Sequence, residues 1–133
     1  MKLSRESITV ILFLLILTVC TAALTNTQRV SRKMTRITKE AVFLTDGGTP
    51  DVQSLEKLDE IIDELSRSWD RYEPIVSTYS RHDELERVSS AVRRLRPLYD
   101  SGRFGELYLT LHETGDALDH LRKTELPTIA NIL

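Results

Sequence analysis

His112, Asp116 and His120 stand four residues apart, so on a helix their side chains stack on one face. His-x3-Asp-x3-His can supply three ligands to a metal. The flanking Leu111 and Leu118 favour a plainer reading. With those leucines in a core, the three polar residues fall on the outer face, where polar side chains belong. His112-Glu113 is followed by no second histidine at the metalloprotease spacing. His82-Asp83-Glu84 offers two further readings, a pH-sensitive hinge or a turn in which Asp83 caps the next helix, and the cap is favoured. Trp69, Tyr72 and Tyr79 recur at helical spacing beside Pro74. They are expected to be core, and they are also where a ligand or partner would find a contact if the proline opens a gap. No nucleophile motif and no phosphate-cradling glycine loop is present, and the many carboxylates read as helix surface. No catalytic residue, metal or cofactor is expected.

These side chains must be held by helices. The chain has 133 residues, 29% of them charged, with five glycines, four prolines and a net charge of −2. Such a composition is helical, and its mildly acidic balance excludes a general nucleic-acid binder. The single cysteine, Cys20, excludes an intrachain disulfide.

The most distinctive stretch is Ile8 to Leu24, which contains no charge. At ~1.5 Å per residue it reaches roughly 26 Å, at the short end of what crosses a bilayer. A retained membrane anchor is the leading reading. A signal peptide cleaved after Thr21-Ala22-Ala23 competes with it, as does lipidation at Leu17-Thr18-Val19-Cys20, where Val19 fits poorly. The division is residues 1–26 as basic head and anchor, and residues 27–133 as the helical domain. Sidedness is open. Lys2 and Arg5 lie directly against the apolar run and neutral residues follow it, which favours an outer-face domain. A literal count of Arg29, Arg32, Lys33, Arg36 and Lys39 favours the inside. That same stripe could meet lipid headgroups or pair with the acidic second helix, with equal weight.

Four seams follow the anchor. Val30, Met34, Ile37, Ala41 and Leu44 define the first, ended by Asp46-Gly47-Gly48. With no breaker after Leu24, this helix can continue straight out of the span. Thr49-Pro50-Asp51 predicts the next start, with Thr49 as cap. Leu55, Leu58, Ile62, Leu65, Trp69, Tyr72, Val76 and Tyr79 form the most regular seam, with a kink or break expected at Pro74. Leu85, Val88, Val92, Leu95 and Tyr99 form the third, and Phe104, Leu107, Leu111, Thr114, Leu118 and Leu121 the fourth, stopped at Pro127. The predicted class is all-α: an N-terminal transmembrane helix followed by a small antiparallel bundle of about four helices.

With Trp69-x-x-Tyr72, His82-Asp83-Glu84-Leu85-Glu86 and Ala130-Asn131-Ile132-Leu133 placed, nearly the whole chain resembles a family of small bacterial proteins. That family is the domain of unknown function four-three-six-three. Pro74, Pro97 and the arginine-rich third helix depart from its pattern. The resemblance implies membrane attachment and a charged helical body, and no activity. The function expected is that of a single-pass module acting by protein–protein interaction, scaffolding or self-association at the cell envelope. Membrane lipid would be met through residues 8–24, and the apolar tail Ile129 to Leu133 could add a contact. The alternative is a ligand-sensing bundle with a pocket near Trp69, Tyr72 and Pro74.

Overall fold

The computed structural model describes residues 2–78 and 80–132, the last nine of them as backbone only. Tyr79 and the apolar tail Ile129, Ile132 and Leu133, named above as contacts, lie outside the described side chains. Four helices account for the fold: α1 (Arg5–Thr45), α2 (Val52–Val76), α3 (His82–Asp100) and α4 (Phe104–Ile132). Each packs on its neighbours in the cyclic order α1–α2–α3–α4, and among the described residues the diagonal pairs stay apart. With short turns between them, the arrangement is an up-down-up-down antiparallel bundle.

α1 is one unbroken helix of 41 residues, about 60 Å long at 1.5 Å per residue. Ser4 caps it, its Oγ accepting from the Ser7 N–H at 3.2 Å. Every described residue before Thr27 is exposed, and Thr27 is the first buried one. Beyond it, Met34, Ile37 and Ala41 enter the core, with Val30 and Leu44 packed at its edge. The apolar stretch and the first bundle helix are therefore the same rod, with no linker between them.

The turns correct several expectations. α2 is capped by Asp51, whose Oδ1 accepts from the Ser54 N–H at 2.8 Å, and not by Thr49. A carboxylate at that position satisfies an orphan amide and meets the positive helix end, so the start moves two residues on. Gly47 and Gly48 both have φ of 106°, backbone that a side chain disfavours, and carry the chain to that cap. Asp83 does not cap α3. Arg81 occupies the N-cap without a side-chain bond, and Asp83 sits in the first turn. There its charge still favours the helix end.

The prolines do not act as breakers. α2 runs through Pro74 to Val76, α3 through Pro97 to Asp100, and α4 past Pro127 to Ile132. Pro74 and Pro97 each withhold one N–H from the carbonyl four residues back. Those carbonyls belong to exposed Asp70 and Arg93, where water can replace the missing bond. α3 ends at Asp100-Ser101-Gly102, with Gly102 at φ 71°. There the Gly102 N–H donates to the Tyr99 carbonyl and the Arg103 N–H to the Leu98 carbonyl, the paired bonds of a Schellman stop.

The core is the seam predicted from the spacing. Leu58, Ile62, Leu65, Trp69, Tyr72 and Val76 of α2 meet Leu85, Val88, Val92 and Leu95 of α3 and Leu107, Leu111, Leu118 and Leu121 of α4. Removing these side chains from water is the main driving force for closing the bundle.

Candidate functional site

Trp69 and Tyr72 are 3% and 2% exposed, so they are core residues and present no surface to a partner. Burial forces the indole N–H to find an acceptor. Trp69 Nε1 donates to Ser89 Oγ at 2.9 Å, and the Ser89 hydroxyl donates to Glu73 Oε1 at 3.1 Å. The two rings lie 6.0 Å apart, tilted by 55°. This polar chain joins α2 to α3 one turn before Pro74. The sequence named Trp69 but gave no sign of Ser89, which lies 20 residues away on the far side of a turn, or of Glu73 on its own helix as the acceptor that completes the chain.

A second tie between the same helices lies toward the other end. Arg96 forks to Asp59 and Asp63, also reaches Asp100 at 3.6 Å, and stacks 5.4 Å from the centre of the Tyr99 ring. Hydrogen bonding to Asp59, opposed by desolvation and backed by Asp63, holds the guanidinium even more firmly protonated. Tyr99 donates its hydroxyl to the Leu55 carbonyl at 2.9 Å. Burial, then the charge of Asp59, pushes that phenol up.

The basic stripe of α1 divides. Lys33 pairs with Glu64 on α2, and that contact holds the Glu64 carboxyl below its ordinary range. Arg29, Arg32 and Arg36 are exposed and make no ion pair among the described residues. Lys39 is exposed, close enough to Asp119 to help lower its pKa after the larger effect of Lys123. Below the stripe, Thr18, Thr21 and Thr25 each turn the hydroxyl back to the carbonyl one turn earlier, at 2.8, 2.8 and 2.9 Å. An apolar surround then meets no unsatisfied donor from them.

His112, Asp116 and His120 do share an exposed face of α4. They are engaged separately. His112 sits edge-on to Tyr108 with ring centres 4.8 Å apart, and His120 Nε2 lies 3.4 Å from Glu84 of α3. Among the described residues no group of three histidine, cysteine or acidic side chains is placed to hold a metal. His82, the first residue of α3, is exposed.

Spacing did not reveal one further feature. Where α3 meets α4, an open groove of about 470 Å³ is lined by Arg93, Arg94, Pro97, Leu98, Arg103 and Glu106, among others. Arg94 pairs with Glu113 at 2.8 Å, and Arg103 with Glu106. Arg93 has no ion pair among the described residues.

Fold and site together define an all-helical four-helix bundle with a long apolar N-terminal helix, 2.6 in mean hydropathy over 18 residues none of which is buried. That helix is long and apolar enough to span a membrane. No family model, no curated protein and no solved structure matches the chain.

Proposed function

We propose that the protein is a single-pass, membrane-anchored helical module that acts by protein–protein contact at the cell envelope, with its bundle on the outer face. The continuity of α1 carries the reading. One rod supplies a fully exposed apolar stretch, residues 8–24, and then a core seam from Thr27 onward. A soluble domain has no use for so many exposed leucines and isoleucines in a row, whereas a bilayer covers them. Arg29, unpaired among the described residues and within two turns of Leu24, can meet anionic headgroups at ~1 kcal/mol, with Arg32 and Arg36 contributing progressively less as the helix rises from the surface. Lys33 has its own partner on α2 and contributes less there.

The test is fractionation of the full chain with protease added to intact cells. A membrane-bound chain of unreduced mass, with its bundle digested from outside, is the expected result. A shortened soluble form, or a bundle protected until cells are opened, would overturn the anchor or its sidedness respectively. Cross-linking in the membrane should then return a protein neighbour.

A further inference from the structure

The geometry points to a second copy of this chain as the neighbour, its acidic α2 face seated on the arginine groove between α3 and α4. The inference rests on the anchored-module reading and names the partner. Glu56 and Glu60 lie one turn apart on α2, both exposed and neither in an ion pair among the described residues. The α3–α4 groove presents Arg93, equally free of an ion pair, with Arg94 and Arg103 each holding a single carboxylate and donors to spare. Within one molecule no ion pair joins Glu56 or Glu60 to Arg93, Arg94 or Arg103 among the described residues.

Their heights match. The pairs Lys33–Glu64 and Glu40–Lys57 join residues whose numbers total about 97, which sets Glu60 level with Ile37 and Glu56 level with Ala41. Across α2–α3, Trp69 bonds to Ser89 and Tyr99 to Leu55, which sets Arg93 near the level of Glu64 and the Arg103 end of the groove near the start of α2. Two copies anchored in one membrane stand parallel, so Glu56 and Glu60 of one fall between the levels of Arg93 and Arg103 of the next. The two surfaces differ, so the contact is head-to-tail and can extend into rows. Exposed ion pairs are individually weak, but confinement to a membrane plane raises the effective concentration that they need.

The test uses full chains in phosphatidylcholine vesicles, all carrying Cys20→Ser. One chain also carries Gln53→Cys beside the acidic face, the other Glu106→Cys at the Arg103 end of the groove, and a short bis-maleimide joins them. The expected result is a 53–106 cross-link that falls with added salt. Arg93→Glu in the second chain should cut its yield about three- to tenfold. Glu56→Lys with Glu60→Lys in the first chain should then restore it. A yield indifferent to Arg93→Glu, a dominant 53–53 product, or a monomer in the vesicles would each overturn the proposal. Co-flotation of a chain that stays monomeric overturns this inference alone. A chain that does not float with the vesicles overturns the anchor reading, and this one with it.

Discussion

Across the α2–α3 interface the ties are large and reach between helices: the Trp69–Ser89–Glu73 chain, the Arg96 fork, and the Tyr99 bond to Leu55. Across α1–α4 the close approach is between small residues, Thr38 and Gly115. Other small residues are buried on both helices, Thr27, Ser31, Ala41 and Thr45 on α1 and Thr110, Thr114 and Ala117 on α4. The hydroxyls of Thr38, Thr45 and Thr114 bond to carbonyls of their own helix, at 2.6, 3.0 and 2.7 Å. One interface therefore specifies its register by directional bonds. The other allows close approach and depends on fit. The helix that leaves the bundle for the apolar stretch belongs to the second kind.

Trp69→Ala should break the contrast most. It opens a large cavity and strips Ser89 of its donor, at a cost of about 3–5 kcal/mol. Denaturant unfolding of the full chain in detergent reads it, and a loss under about 1 kcal/mol would mean that the α2–α3 tie matters no more than its neighbour. Arg96→Met keeps the stem and removes the fork. A loss of about 1–2 kcal/mol is expected, since the guanidinium is partly exposed and serves two carboxylates.

Gly115 sharpens the other side. A Cβ there would sit 3.5 Å from Thr38 Cγ2, an ordinary contact. Gly115→Ala should therefore stabilise the bundle by about 0.5–1 kcal/mol through helix propensity. Gly115→Leu, too large for the gap, should reverse the sign. If both substitutions destabilise, the helices are closer than the fit implies.

The smallest effect is in pH. The Lys33 contact holds the Glu64 carboxyl below its ordinary range in the folded protein. A carboxylate of that kind contributes stability that is present above its unfolded pKa and lost as pH falls through the folded one. Thermal melts should show a modest decline beginning near pH 4.5, reduced by Lys33→Met.

Much of this was legible in the spacing. The seam residues from Met34 to Leu121 are local facts, because helical periodicity alone decides which side chains share a face. So was the helix from the apolar run into the first seam, since nothing between Leu24 and Leu44 can break it. The caps were misread because Thr49 and Asp51 are both competent, and only the backbone path from Gly47 and Gly48 selects one. The stop expected at Pro127 was misread, because a proline's cost depends on whether water reaches the freed carbonyl.

The sequence by itself determined four amphipathic helices and an apolar stretch continuous with the first. Those follow from interactions within a few residues. Only the tertiary structure decided that Ser89 receives the Trp69 N–H, that Arg96 reaches Asp59 across 37 positions, and that Lys33 takes Glu64 while Arg29, Arg32 and Arg36 are left without a described partner. Such pairings depend on the register between helices. Register is set by how all four seams pack at once, so it has no signature in any one of them.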